Sequence, residues 1–218
     1  MTRPLIILGT GGSAYDVLDV IEGINAGRPT WDVQGFLDDA KPSDSKHLGL
    51  PVLALLRDAG RFADAMFVNV IGSDKSFPIR PRIVASTGLP PDRFATLVHP
   101  GASVSSRANL GRGVYVNAGA SVAGNVTIGD QVALGPNCAI GHDTTIGAYT
   151  LVAPAAVVSG FVRIGSGAYV GAGAVIRQQV RIGAGALVGM GAVVLRDVGD
   201  AEVVVGNPAK PLRRKSTP

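Results

Sequence analysis

An aliphatic residue recurs at every sixth position over nearly half of the chain. Counting from Val98 in steps of six, seventeen successive positions hold Val, Ile or Leu, without one insertion, up to Val194. Four residues after each aliphatic stands a small or β-branched residue, and a glycine often follows the aliphatic directly. A fixed short period of this kind is typical of solenoids, in which each repeat packs only on its neighbours.

The repeat predicts a parallel coil with three flat faces. The aliphatic and the small residue of each hexapeptide would point inward, and glycine would ease the corner because it tolerates positive φ. Three hexapeptides close one turn, so residues 18 apart should stack in ladders. Each aliphatic would contribute roughly 1.5–3 kcal/mol when fully buried. Cys138 lies on the small inward ladder, and we therefore interpret it as a core residue and not as a nucleophile.

Residues 1–96 carry a different pattern, which predicts a separate α/β unit. Apolar runs that end in Gly or Asp alternate there with segments of helical spacing, as in a small parallel sheet with crossover helices. We expect two domains, 1–96 and 97–218. The predicted elements are a strand at Leu5–Leu8, a helix at Tyr15–Ile24, strands at Val33–Leu37 and Ala65–Ile71, a strand or helix start at Pro51–Arg57, a helix at Ile79–Ser86 despite Pro81, and a strand at Phe94–Val98 that leads into the repeat.

Composition limits the kinds of partner. The chain has 46% apolar and 17% charged residues and a net charge of +4, which describes a globular protein. The sequence contains no basic stripe with interleaved aromatic residues, the pattern that would indicate nucleic-acid binding. Cys138 is the only cysteine, so no intramolecular disulfide can form and a reducing compartment fits. The run Leu5–Leu8 is too short for a signal peptide or a membrane span, and we expect a cytoplasmic protein without membrane contact.

The three histidines differ in what their positions predict. His142 directly follows Gly141, in a corner slot of the repeat that faces outward and otherwise holds small or polar residues. With Asp143 beside it, its imidazole could act as a base that a carboxylate orients. His99, before Pro100, is interpreted as structural, and His47 lies in a polar loop without an assignable partner.

The glycine-rich loop near the N-terminus is the second candidate site. Gly9-x-Gly11-x-x-Ala14 fits a loose dinucleotide fingerprint, with Asp38 at about the interval of a ribose-binding acid. Because the domain is too short for two mononucleotide halves, we interpret the loop as binding the nucleotide of a substrate at a helix N-terminus. Asp38-Asp39 has no His or Cys nearby, so no metal is expected. The basic tail Arg213-Arg214-Lys215 is interpreted as a solvated end.

Four segments carry a resemblance to a known family. They are the loop Gly9-Thr10-Gly11-Gly12-Ser13, the segment Gly35-Phe36-Leu37-Asp38-Asp39, the repeat segment Ile140-Gly141-His142-Asp143, and the ending Val205-Gly206-Asn207-Pro208-Ala209-Lys210. In these segments the chain resembles the hexapeptide-repeat acyltransferases. More narrowly, it is similar to the family of sialic acid O-acetyltransferases and N-acetyltransferases of nucleotide-linked 4-amino sugars, such as GDP-perosamine N-acetyltransferase-like enzymes.

The resemblance implies a left-handed coil and a homotrimer with active sites between neighbouring β-helices. His142 would be the general base toward the sugar amine, and Asp143 would support it. The nucleotide-sugar, linked to UDP or GDP, would be held by six residues: Gly11, Gly12, Ser13, Asp38, Asp39 and Gly72. Acetyl-CoA, the co-substrate, would lie near Gly160, Ala172 and Met190, and no metal would take part.

The chain also departs from the family pattern at two places. Many relatives carry a histidine where Ser13 stands, so a catalytic role for that position is in doubt. The stretch Gly135-Pro136-Asn137 replaces a more usual Asn-Thr before the active coil.

Three alternatives stay open at this point. The acceptor could be a hydroxyl of sialic acid or a related sugar. The second alternative is metal-dependent hydration. It needs three convergent histidines, whereas only His142 lies within the repeat, so the sequence disfavours it. An NAD-linked enzyme or nucleotide sensor would use the loop and leave the coil as a scaffold. Bacterial polysaccharide or glycan biosynthesis is the setting that the family suggests.

Overall fold

The computed structural model describes residues 1–212 and consists of an α/β unit followed by a long coil of short strands. The tail Arg213-Arg214-Lys215, predicted to be a solvated end, lies outside the described residues. Within residues 1–212, none of the helices combines the length and the apolar character needed to cross a bilayer.

A five-stranded sheet organises the N-terminal unit. Its strands are β1 (Arg3–Leu8), β2 (Trp31–Leu37), β3 (Lys46–His47), β4 (Leu50–Ala54) and β5 (Met66–Asn69). They stand in the order β3-β4-β2-β1-β5, and all pairs are parallel except the hairpin of β3 with β4. The predicted parallel sheet is confirmed. The antiparallel edge strand was not predicted, because a strand of two residues leaves no periodic pattern.

Two helices accompany this sheet. Helix α1 (Ser13–Gly27) begins directly after the glycine loop, and its apolar face buries Val17, Val20 and Ile21. Helix α2 (Arg80–Ser86) continues from a 3₁₀ turn, Phe77–Ile79, and carries Pro81 in its first turn. Proline is tolerated there because a first-turn N–H has no intrahelical acceptor.

Two predicted elements are shorter or divided. The segment Pro51–Arg57 divides into the end of β4 and a 3₁₀ helix, Leu56–Arg61. In Phe94–Val98, which follows a 3₁₀ turn at Pro91–Arg93, Phe94 makes only a single bridge with Phe67. The strand proper begins at Leu97, where the chain joins the coil.

The remainder of the described chain is a left-handed parallel β-helix. Seventeen strands of two residues form it, and each ends on one of the predicted aliphatic residues, so the predicted fold class is confirmed. A hairpin of β23 (Val203–Val205) and β24 (Lys210–Pro211) closes the last coil. The seventeen strands are β6 (Leu97–Val98), β7 (Ser103–Val104), β8 (Asn109–Leu110), β9 (Tyr115–Val116), β10 (Ser121–Val122), β11 (Thr127–Ile128), β12 (Ala133–Leu134), β13 (Ala139–Ile140), β14 (Thr145–Ile146), β15 (Leu151–Val152), β16 (Val157–Val158), β17 (Arg163–Ile164), β18 (Tyr169–Val170), β19 (Val175–Ile176), β20 (Arg181–Ile182), β21 (Leu187–Val188) and β22 (Val193–Val194).

The register of 18 residues holds throughout the coil. Val122 pairs with Ile140, and Ile140 with Val158. Only the closing turn is shorter, because Leu187 pairs with Val203, 16 residues further on. The inward residues form one continuous core, in which Cys138 is fully buried as predicted. Burial raises the pKa of the Cys138 thiol to about 12, so it stays protonated and unreactive. The division at residues 96 and 97 stays a prediction.

The three outer faces of the coil differ in the first residue of each strand. On the covered face, defined by Leu97, Tyr115, Ala133, Leu151, Tyr169 and Leu187, the side chains pack into the core of the α/β unit. The polar face consists of Asn109, Thr127, Thr145, Arg163 and Arg181. The open face consists of Ser103, Ser121, Ala139, Val157, Val175 and Val193, and both Val157 and Val175 are 39% exposed.

A buried arginine joins the α/β unit to the coil. Arg80 has no exposed surface, and it donates from Nη1 to the Ile71 carbonyl at 2.5 Å and from Nη2 to the Gln131 carbonyl at 2.7 Å. The end of β5 and a corner of the coil are therefore held by one side chain.

Candidate active site

His142 stands on the corner between the open face and the polar face, which we call the histidine corner (142, 160, 178 and 196, with 125, 143 and 161 beside them). Its side chain is 60% exposed, and its Nδ1 lies 2.7 Å from Oδ2 of Asp143. The other oxygen of that carboxylate, Oδ1, accepts a hydrogen bond of 2.6 Å from Nδ2 of Asn125. The corner therefore carries a chain of three polar side chains, Asn125–Asp143–His142.

The hydrogen bonds indicate which nitrogen of the imidazole carries the proton. The bond with His142, and next the one from Asn125, hold the pKa of Asp143 below its usual value. An ionised carboxylate can only accept, so in the neutral imidazole the proton sits on Nδ1. Nε2 is then left with a free lone pair, which is what a general base requires.

Backbone geometry explains why these side chains meet. Asn125, Asp143 and Phe161 are stacked on successive coils and have φ values of 59°, 57° and 60°. Asn and Asp adopt this left-handed conformation more readily than most residues. Because adjacent strands lie about 4.8 Å apart, their side chains reach one another from coil to coil. Sequence reasoning missed Asn125, although its spacing of 18 residues from Asp143 was a usable signal.

The coil after His142 makes room for the imidazole. A Cβ atom on Gly160 would lie 3.0 Å from both Cε1 and Nε2 of His142, so only glycine lets the ring lie this close to the next coil. The ring of Phe161 meets the imidazole edge to face at a centroid distance of 5.0 Å. The imidazole is thus packed against Phe161 and the backbone of Gly160.

The six residues predicted to bind the nucleotide-sugar line one cavity. Gly11, Gly12, Ser13, Asp38, Asp39 and Gly72 all face a cleft of about 490 Å³, which we call the loop cleft. It lies at the carboxyl ends of β1, β2 and β5, where ligands bind in open α/β sheets. The structure therefore brings these residues together, although their roles stay predictions.

Both acids of the loop cleft hold its backbone in place. Oδ2 of Asp38 accepts from the N–H and the hydroxyl of Thr10, both at 2.7 Å, and its Oδ1 accepts from the Ala40 N–H at 2.7 Å. Oδ1 of Asp39 accepts from the Leu56 N–H at 2.9 Å. Asp38 is thus engaged by the protein itself, whereas Asp39 is exposed.

The first turn of α1 is open toward the same cleft. Its N-cap, Gly12, makes no side-chain capping bond. The Ala14 and Tyr15 N–H groups donate to the Gly11 and Gly12 carbonyls, which leaves the N–H groups of Gly12 and Ser13 for a ligand. Such a helix end binds phosphate through these N–H groups and the helix dipole. Gly9 has a φ of +100°, and a Cβ atom there would collide with Ile71. This glycine allows the loop to pass close to β5.

A second cavity continues the loop cleft toward the coil. This wedge pocket, of about 120 Å³, shares Ser13, Gly72 and Ser73 with the cleft and reaches Tyr115 and Asn117 of the coil. Asn117 is almost fully buried and donates from Nδ2 to the Leu134 carbonyl at 2.8 Å. Sequence reasoning missed these two side chains. Asn117 occupies a slot that glycine often fills, which was a weak signal.

One chain does not bring His142 and the loop cleft together. The wedge pocket ends at Pro136 and Pro154, on the corner between the covered and open faces, whereas His142 lies across the open face. Ala172 and Met190, predicted to lie near acetyl-CoA, stack on the same corner as Pro136, which we call the wedge corner, and Met190 is 81% exposed. Gly160, in contrast, is on the histidine corner. The predicted residues thus flank the open face on its two sides.

The other two histidines have structural surroundings. Nε2 of His99 would lie 2.6 Å from a Cβ atom on Gly23 of α1, and its Nδ1 accepts from the Gly101 N–H at 2.9 Å. His47, for which no partner was predicted, has Nδ1 3.1 Å from Nζ of Lys41 and packs against the Phe36 ring. Among residues 1–212, His, Cys, Asp and Glu side chains form no group of three that could hold a metal ion.

Comparison with known proteins defines the class. Residues 125–160 and 161–196 match the family described as bacterial transferase hexapeptide (six repeats). No curated protein sequence matches the chain. The match covers the middle of the coil and indicates a hexapeptide-repeat transferase.

Solved structures narrow the class further. The acetyltransferase domain of PglB from Neisseria gonorrhoeae FA1090 is 31% identical, with a TM-score of 0.83 over 97% of this chain and 100% of that one. The same domain in complex with acetyl coenzyme A is 32% identical, with the same coverage and TM-score. PerB from Caulobacter crescentus, in complex with CoA and GDP-perosamine, is 30% identical, with a TM-score of 0.81 over 96% of this chain and 97% of that one.

The chain belongs to the family of hexapeptide-repeat sugar acyltransferases that its sequence motifs indicated. The predictions of an acyltransferase and, for the family, of acetyl-CoA as the co-substrate are confirmed.

Proposed function

We propose that the protein is an acetyl-CoA-dependent N-acetyltransferase that acetylates the 4-amino group of a sugar linked to UDP or GDP. The observation that carries the proposal is the imidazole of His142, whose Nδ1 is bonded to the ionised Asp143 and whose Nε2 faces outward beside Gly160. Relatives that hold acetyl-CoA, or CoA with GDP-perosamine, support the choice of both substrates.

In the proposed mechanism, His142 moves one proton. The neutral amine attacks the thioester carbonyl, and Nε2 takes a proton from the nitrogen as the C–N bond forms. The C–S bond then breaks, and the proton passes from Nε2 to the sulfur, so the products are the N-acetyl sugar and CoA thiol. Asp143 stabilises the transient imidazolium and keeps the ring in the required tautomer.

The nucleotide-sugar is proposed to lie in the loop cleft. Free N–H groups at the start of α1 would bind the diphosphate, with Gly11, Gly12 and Ser13 allowing close approach. Asp38 would act through the loop, because both its oxygens are engaged there, and Asp39 would offer its exposed carboxylate to the ribose. Gly72 lies where the cleft meets the wedge pocket, and a Cβ atom there would press on Arg80 and Leu151 at 2.8 Å.

We further propose that the active protein is a homotrimer. One face of the coil is covered by the α/β unit and a second is polar, whereas the open face presents small and apolar residues to solvent. An exposed apolar face of this kind marks an interface. The open face lies between the histidine corner and the wedge corner. A neighbouring copy seated on it would therefore bring His142 of one subunit to the wedge pocket of the next, completing a site that one chain leaves divided.

The same arrangement would hold acetyl-CoA between subunits. The thioester must lie next to Nε2 to react, and Gly160 would contact it there, because Gly160 lies directly against the imidazole. Ala172 and Met190 lie on the wedge corner, and across such an interface they would face the histidine corner of the neighbour. Their contribution would be apolar contact along the coils.

The test is thiol release from acetyl-CoA with a panel of UDP- and GDP-linked 4-amino sugars, alongside the corresponding 4-hydroxy sugars and free sialic acids. We expect release with one amino sugar and none without an acceptor. Release only with hydroxyl acceptors would replace the proposal by O-acetylation. If no acceptor causes thiol release and the protein binds NAD, the result would contradict acyl transfer and favour the dinucleotide alternative.

Replacing Asp143 by asparagine is expected to lower kcat roughly 10- to 100-fold, because the ring loses the partner that orients it and fixes its tautomer. The KM for both substrates should change little. Steady-state thiol release measures both parameters. Asp130→Asn is the matched control, since this corner carboxylate also bonds a neighbouring coil, to the Arg112 N–H at 2.7 Å, but stands away from His142. Equal losses in the two variants would contradict a specific role for Asp143.

A further inference from the structure

Among the described residues, Asp16 is the one charged side chain that lines the wedge pocket. It lies in the first turn of α1 and faces the pocket beside Ser13, Tyr115 and Tyr169. The remaining lining is made of small, apolar or uncharged polar residues. The carboxylate thus stands where the loop cleft meets the coil.

This carboxylate has no cationic partner in the described part of the chain. Within residues 1–212 the ion pairs are those of His142 with Asp143 and Arg181 with Asp200, so no basic group lies within 4.0 Å of Asp16. Burial, and next the charge of Asp19, raise the pKa of Asp16 above its usual value. A half-buried acid without a counter-ion is unfavourable, and a bound cation would relieve it.

The charges nearest the pocket lie behind its lining. The charge of Asp74 acts on Tyr169, whereas the guanidinium of Arg80 acts on Tyr115 and lies behind Gly72, where a Cβ atom would be 2.8 Å from Nη1. Arg80 already donates to the Ile71 and Gln131 carbonyls, and the described lining of the pocket contains no basic residue. The pocket is directly continuous with the loop cleft through Ser13, Gly72 and Ser73.

We propose that Asp16 is a specificity-determining residue that recognises the ammonium group of the acceptor sugar in the wedge pocket. This inference rests on the proposed function, since it assigns the residue that distinguishes an amino sugar from its hydroxyl counterpart. A nucleotide bound in the loop cleft would direct its sugar toward the wedge pocket. There, the ammonium group would meet the carboxylate in a charge-assisted hydrogen bond.

Recognition and reaction use different protonation states of the amine. The ammonium form binds to Asp16, then loses one proton to solvent, and the neutral amine attacks the thioester as described above. The overall reaction converts the ammonium sugar and acetyl-CoA into the N-acetyl sugar, CoA thiol and one released proton. Asp16 thus contributes to binding and selection, and its loss should affect KM far more than kcat.

Calorimetric titration of the intact protein tests the inference without turnover. For the amino sugar that releases thiol, the dissociation constant is compared with that of the same nucleotide-sugar carrying a 4-hydroxyl. We expect the wild-type protein to prefer the amine by about tenfold or more, as a charge-assisted hydrogen bond implies. Asp16→Asn should reduce this ratio to near one and raise the KM for the amine about tenfold, with kcat changed less than threefold.

Asp19→Asn is the matched control, because Asp19 is exposed on the next turn of α1 and does not line the pocket. It should keep the wild-type preference. Asp16 could also stabilise α1 through the helix dipole, but that effect would change the binding of both ligands equally. A preference that survives in Asp16→Asn overturns the inference, and so does a wild-type protein without any preference. Thiol release with amino sugars then shows whether the proposed function itself stands.

Discussion

Replacing His142 by alanine is expected to lower kcat about 10²- to 10⁴-fold, the range in which a positioned general base contributes to proton transfer. The KM for acetyl-CoA and for the sugar nucleotide should stay within a few-fold, because the imidazole is exposed and needed only as the C–N bond forms. Steady-state thiol release at saturating acceptor measures the loss. A variant with the same unfolding midpoint as the wild type would show that the coil is intact.

A nearby residue of the polar face supplies the control for this prediction. Thr145, three residues after His142, is also exposed, so Thr145→Ala should keep kcat within about twofold. Added imidazole should restore part of the activity of His142→Ala, because Gly160 leaves open space beside the missing ring. If His142→Ala keeps an activity within tenfold of the wild type, His142 is not the general base. The assignment of the protein as an acetyltransferase would still hold.

Replacing Val175 by arginine should separate the subunits and abolish at least 99% of the activity. Val175 is the fifth of the six residues of the open face and is 39% exposed in the single chain. Burying a charge there without a partner costs several kcal/mol, which an interface cannot offset. Light scattering gives the mass, and thiol release gives the activity. Thr145→Arg, at an exposed position of the polar face, should leave both unchanged.

Mixed trimers distinguish two cases. In one, each active site is built from two subunits; in the other, each site lies within one subunit and the trimer only stabilises it. His142→Ala lacks the base, and Gly11→Trp places a large ring in the loop cleft at a position where the added Cβ atom meets no other atom within 4 Å. Each variant alone should be inactive. If neighbouring subunits share each site, co-expression in equal amounts should restore about one quarter of the wild-type activity, because one site in four combines both intact halves. No recovery would place the whole site within one chain.

The sequence determined the coil and everything that follows from its period. Because seventeen hexapeptides run without insertion, position along the chain is equivalent to position in space. The inward ladders, the burial of Cys138, the outward corner of His142 and the stacking of Gly160 beside it could all be predicted from spacing. The loop cleft could be predicted as well, since the glycine loop follows β1 and Asp38 follows β2, and these two parallel strands are neighbours.

Tertiary structure alone decided which face of the coil is covered and how the two units meet. Those contacts join residues without any periodic relation, such as Arg80 with Gln131, 51 positions apart. Such pairs depend on how two independently formed units dock, and docking is set by the shapes of their surfaces and not by local propensity. The wedge pocket with Asp16, the engagement of Asp38 by its own loop, and the open face between the two functional corners therefore emerge only from the assembled fold.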